Sequence, residues 1–247
     1  MKNKTLDRFW EIDFLRGSAI IMMIIYHIIF DLNYFNIVSI NLYFLPLRLF
    51  LYLIGTTFLL LVGVSLSLSY SKVKDKLTKK QIQLKYLKRG FFLFGLGMII
   101  TLVTWIYPGK GFIIFGVLHC IGISIILSYF LLRFKHLNLL LGLVLITSGI
   151  ILNNLKFDFY YLIPFGFKPY GFYTLDYFSI LPWFGVVLIG IYIGKLFYQD
   201  FNRRVKLKNL DGIRIVKLFC FLGRNSLIIY LIHQLIIIGI IQLFLVF

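Results

Sequence analysis

Seven apolar stretches, most of them about 20 residues long, constrain this chain more than any other feature. They run over Phe14–Phe35, Leu47–Ser69, Leu87–Tyr107, Phe112–Leu132, Leu137–Asn153, Phe178–Tyr198 and Phe219–Phe247. A hydrocarbon core about 30 Å thick takes roughly 20 helical residues per crossing. A backbone inside it must pair its own polar groups, so stretches of this kind fold as helices. Composition agrees: the 247 residues are 60% hydrophobic and 14% charged, where soluble domains have about 45–50% and 25%. The mean hydropathy is +0.93. The expected fold is an all-α integral membrane protein: one domain over 1–247, a single bundle of about seven transmembrane helices. The fifth stretch is short, and the 29 residues of the seventh are too few for two crossings. The first is too long for a signal-peptide core and lacks a small-x-small cleavage site, which makes it a retained span. No internal repeat or low-complexity linker marks a second domain.

The formal charge of +17 sits in alternate connections. One side holds 22 basic residues: Lys2, Lys4, Arg8 and Arg16, then eight from Lys72 to Arg89, then Arg133 and Lys135, then eight from Lys195 to Arg224. The other side holds four, Arg48, Lys110, Lys156 and Lys168. The positive-inside rule puts the N-terminus in the cytoplasm and the C-terminus outside. The charge therefore reads as topology and contact with anionic lipid, not as a nucleic-acid surface. The outer connection 154–177 is rich in Tyr, Phe, Gly and Pro. Aromatic belts account for part of this, and its rings also suit stacking on a sugar.

The first stretch carries Asp13, Arg16, His27 and Asp31. At 100° per residue, with Asp13 at zero, Arg16 falls at about −60°, His27 at about −40° and Asp31 at about 0°. Four costly residues on one stripe point to a bundle interior or a wet cavity. Asp31 lies at i+4 from His27, a spacing that lets a carboxylate orient the imidazole of a general base. His27 sits roughly 16 Å from Arg16 along the helix, His119 roughly 10–12 Å from the outer side, and His233 roughly 12 Å from Asn225. Singly, each histidine is equally well explained by an interhelical hydrogen bond. Three of them on three helices near mid-membrane make a polar site the better reading. Cys120 and Cys220 form no metal motif, and no Gly-x-Ser-x-Gly elbow supports a hydrolase. At the inner mouth, Gly223-Arg224-Asn225-Ser226 reads as a helix start with an N-cap. With Arg16, Lys88 and Arg89 on the same side, it suits a phosphate-rich ligand.

These segments also carry a family likeness. Arg8…Ile12-Asp13-Phe-Leu-Arg16-Gly17…Met23…His27 with Asp31, then Gly116-Val-Leu-His119-Cys-Ile-Gly122, Leu181-Pro182-Trp183-Phe-Gly185 and Gly223-Arg-Asn-Ser226…Tyr230-Leu-Ile-His233-Gln234 span nearly the whole chain. In order and topology they resemble the catalytic-domain family of heparan-α-glucosaminide N-acetyltransferase, and more distantly the acyltransferase type 3 family. The resemblance implies transfer of an acetyl group from cytoplasmic acetyl-CoA to an outer acceptor, the amine or hydroxyl of a glycan or glycolipid, at a multi-pass cell-membrane enzyme. It implies catalytic roles for His27, Asp31, His119 and His233, and CoA binding by Asp13, Arg16, Lys88, Arg89, Arg224, Asn225 and Ser226, with no metal. A homodimer is left open. The animal lysosomal members carry a histidine in the loop after the first span, and here residues 36–46 contain none. Direct transfer with His27 as base is the mechanism expected. The rival reading is a proton-coupled transporter or flippase relaying protons through the same residues; seven spans without visible symmetry speak against it.

Overall fold

The computed structural model describes residues 9–199, 201–205, 207–210 and 212–246. Lys2, Lys4, Arg8 and Lys206, counted above among the inner basic residues, lie outside the described residues. In chain order the helices are α1 (Trp10–Tyr34), α2 (Leu45–Val73), α3 (Lys79–Ile106), α4 (Val117–Leu131), α5 (His136–Asn153), α6 (Ile180–Phe197), α7 (Arg214–Arg224) and α8 (Ser226–Val246). A two-residue antiparallel pair, β1 (Tyr198–Gln199) with β2 (Asn202–Arg203), follows α6. The fold is all-α, and α1, α2, α3, α5, α6 and α8 are long and apolar enough to cross a membrane.

Three boundaries differ from the expected spans, each for a local reason. α3 begins at Lys79 and not at Leu87, because Thr78 and Gln81 form a capping box. The Thr78 hydroxyl accepts from the Gln81 amide at 3.3 Å, and the Gln81 side chain accepts from the Thr78 amide at 2.9 Å. α4 begins at Val117 and not at Phe112, because 112–116 pair with the loop before α6. The Leu175 amide donates to Gly111 O at 2.8 Å, the Thr174 hydroxyl to Phe112 O at 2.7 Å and the Phe178 amide to Phe115 O at 3.0 Å. The seventh stretch breaks at Asn225, where φ is −99° and ψ is 13°. The Asn225 side chain donates to Phe221 O at 2.9 Å. It thus ends α7, and α8 begins at Ser226, where the sequence placed a helix start.

The described residues form two compact units: those up to Leu61 with those from Leu207 on, and Val62–Lys206. The first unit holds α1, the first half of α2, α7 and α8. Ile20, Met23 and Ile54 are buried at its centre, with Phe50, Phe58, Ile229 and Tyr230 packed on them. α1 and α7 cross at glycines. A Cβ on Gly17 would stand 2.0 Å from Phe219 O, and one on Gly223 would stand 1.9 Å from Asp13 O. Such backbone-to-backbone approach is how apolar helices associate where water supplies no driving force between them. In the second unit, α5 meets α6 in the same manner at Gly142 and Gly185, and α3 meets α4 at Gly90 and Gly122. Gly122, read from the sequence as room for a helix or ligand beside His119, is filled by α3.

Candidate functional site

The stripe on α1 divides into an inner and an outer pair. Arg16 Nη1 lies 3.2 Å from Asp13 Oδ1, one turn apart on the helix. The Asp13 carbonyl is also the atom closest to Gly223. The Asp-x-x-Arg-Gly segment therefore binds α7 and holds its own charges together in one stroke. Arg224 is exposed and Ser226 half-buried at the α7–α8 break, in the same unit as Arg16. Lys88 and Arg89 are exposed on α3, in the other unit.

Nearer the other end of α1, His27 meets His233 of α8 with ring centroids 4.7 Å apart and planes at 63°. His233 Nδ1 lies 2.7 Å from Tyr230 O. A carbonyl only accepts, so Nδ1 carries the proton and Nε2 carries a lone pair. That Nε2 is buried and has no partner, and the same holds for His27 Nδ1. Two unpaired imidazole nitrogens in an apolar interior each forfeit a hydrogen bond.

Asp31 is 2% exposed, yet its carboxylate does not orient His27. Both of its oxygens accept from Gln234 Nε2, at 2.9 and 2.8 Å. The i+4 spacing put the two side chains on one face, and α8 supplied a donor that reached the carboxylate first. Gln234 Oε1 is left buried without a partner. Sequence reasoning noted Gln234 only as a neighbour of His233. The available signal was a second polar residue beside an intramembrane histidine.

His119 belongs to the second unit and is 1% exposed. Since α4 starts at Val117, it stands in the first turn, not two turns in as expected. Its ring is flanked by Phe94 and Phe115, with centroids 5.2 and 5.4 Å away. The Gly116 amide donates to Nδ1 at 3.2 Å. Nε2, then the protonated nitrogen, faces Thr101 Oγ1 at 3.4 Å, and that hydroxyl donates to Ile113 O at 2.6 Å. Both nitrogens are thus committed to holding the strand-like entry to α4.

Beside it lies Asp176, which sequence reasoning missed; its signal was an acid, one of two with Asp158, in an aromatic outer loop. Its Oδ2 accepts from the Val117 amide at 3.0 Å, at the first turn of α4. Only glycine at 116 admits it, since a Cβ there would lie 2.4 Å from that oxygen. Burial pushes the Asp176 carboxyl up to about 6, against the pull of the Val117 and Tyr177 amides.

No curated protein and no solved structure matches the chain. A family model described as "Heparan-alpha-glucosaminide N-acetyltransferase, catalytic" matches residues 8–235, nearly the whole length. The histidine pair, the Asp-x-x-Arg-Gly crossing, five of the six long apolar helices and the first part of α8 lie within that span, and the chain belongs to this multi-pass acetyltransferase family.

Proposed function

We propose that the chain works as one domain at the cell membrane and moves an acetyl group from cytoplasmic acetyl-CoA to the amine or hydroxyl of an extracytoplasmic sugar. The observation that carries this reading is the His27–His233 pair, with one buried, unpartnered nitrogen on each ring. With Nδ1–H tied to Tyr230 O, His233 Nε2 is the proton acceptor. The acceptor's N–H or O–H gives its proton to that nitrogen as the nucleophile attacks the thioester carbonyl. The C–S bond then breaks, and the CoA thiolate takes the proton back from the imidazolium. His27 faces the reacting atoms from the other side of the pair, and Asp31 with Gln234 holds α8 in register beside it. Arg16, Arg224, Asn225 and Ser226, at the inner end of the same unit, receive the CoA phosphates, as cations and helix N-termini do, and Asp13 serves that site by holding Arg16. Lys88 and Arg89 stand for the same role from topology alone. His119, with both nitrogens engaged, acts as a positioning residue.

The test is transfer from labelled acetyl-CoA by the purified, reconstituted protein to a panel of amino sugars and neutral sugars. His233→Ala is expected to lower kcat/KM about 10²–10⁴-fold while labelled acetyl-CoA still binds. A folded His233→Ala protein that transfers at the parent rate overturns the assignment. A parent protein that never binds acetyl-CoA overturns the enzyme reading and favours a proton-coupled carrier.

A further inference from the structure

We propose that α7 is a cytoplasmic interfacial helix whose outward face binds anionic phospholipid. At about 100° per residue its 11 residues fall into three sectors. Val216, Cys220 and Gly223 are buried, and the α1 crossing runs through Gly223. Ile215, Leu218 and Phe221 lie away from that side and are 65%, 55% and 56% exposed. Lys217 and Arg224 occupy the arc between that strip and the buried side, and Arg214, the first residue of α7, stands within the strip between Leu218 and Phe221; all three are exposed. A helix with an apolar strip bordered by cations lies in a membrane interface, its strip in the acyl boundary and its cations at the phosphates.

Two further observations choose lipid over a protein partner. α8, a helix able to cross the membrane, begins one residue after α7 ends, so the end of α7 is fixed at the membrane boundary. The positive-inside distribution puts that boundary on the cytoplasmic side, where the leaflet carries anionic headgroups. α7 also crosses α1 in backbone contact at Gly17 and Gly223. Lipid held on its outer face therefore bears on the helix that carries His27.

The experiment uses the full chain reconstituted in phosphatidylcholine alone or with about one third phosphatidylglycerol. A spin label on Leu218→Cys reports depth, with the unlabelled-site parent as control because Cys120 and Cys220 are buried. The label is expected below the phosphate level, and phosphatidylglycerol is expected to raise the unfolding midpoint. Arg214→Gln with Lys217→Gln should weaken the preference for phosphatidylglycerol roughly tenfold or more. Arg214→Lys with Lys217→Arg should keep it, as should Lys79→Gln with Lys80→Gln at the start of α3. A water-exposed label, a midpoint indifferent to phosphatidylglycerol, or a preference that survives the Gln pair overturns the proposal. So does a label immobilised in a particle with the mass of two chains, which makes the face a protein interface. If the Gln pair does not fold, the label depth in the otherwise unaltered chain decides.

Discussion

Asp176 and Gln234 are the residues whose environments make the sharpest demands. The Asp176 carboxyl rises from 3.8 to about 6 because burial penalises its charge. The folded protein therefore holds this proton more tightly than the unfolded chain does. The resulting stability is complete below about pH 4 and is lost as the pH rises through about 6, at most about 3 kcal/mol. Asp176→Asn is expected to flatten this slope in thermal unfolding followed between pH 4 and 7; an unchanged slope would remove Asp176 as its source. Gln234→Leu leaves both Asp31 oxygens buried without a donor. The expected loss is about 1–3 kcal/mol, read by chemical or thermal unfolding. His27 and His233 could be read from sequence because ionisable groups are conspicuous in apolar helices. Their partners could not. A hydrogen bond from α8 to α1 joins residues 203 positions apart, and no local pattern announces it. The depth of His119 in its helix was misjudged for a related reason: it depends on where α4 begins, which pairing with a distant loop decides.

Among the helices, the ones whose sequence was harder to read are those whose ends are set by polar detail inside an apolar run. Hydropathy found every long helix, since 18 or more apolar residues leave little choice. It ran α7 into α8 because Phe219, Leu222 and the residues of α8 read as one stretch, while the break depends on a single Asn225 side chain turning back to Phe221 O. The basic residues ahead of α3 read as an interfacial, partly helical loop, and the Thr78–Gln81 box fixes the start of that helix at Lys79. Glycines separate by context in the same way. Gly223 has a carbonyl 1.9 Å from any added Cβ, whereas Gly239 on α8 has nothing within 4 Å. Gly223→Ala is expected to cost about 1–3 kcal/mol or more, because the obstructing atom is backbone and cannot swing aside. Gly239→Ala is expected to cost nothing measurable. Paired unfolding curves of the two variants check this, and equal stability would mean that the α1–α7 crossing is looser than its geometry.

At the scale of the whole molecule, the open matter is whether α4 crosses the membrane. Its 15 residues span about 22 Å, short of a core about 30 Å thick. Charge gives one answer. If α4 does not cross, Arg133 and Lys135 move outside together with the eight basic residues from Lys195 to Arg224, and the asymmetry of 22 to four collapses. If it crosses, the missing length comes from residues 112–116, and extended backbone at that depth is allowed only where its polar groups are paired with protein. They are paired. Phe112, Ile113 and Phe115 carbonyls each accept a hydrogen bond from α3 or from the loop before α6, and the Ile113 amide donates to Thr104 Oγ1 at 3.0 Å. Six helices are long enough to cross by themselves, and the charge distribution favours α4 as a seventh crossing, with the N-terminus inside and the C-terminus outside. Alkaline phosphatase fused after Phe247 is expected to be active in intact cells, and the same reporter inserted at Asp75, between α2 and α3, inactive. Activity at Asp75 and none after Phe247 would invert the topology. Inactivity at both would mean that α4 turns back, and would place the eight basic residues from Lys195 to Arg224 where the membrane potential opposes them.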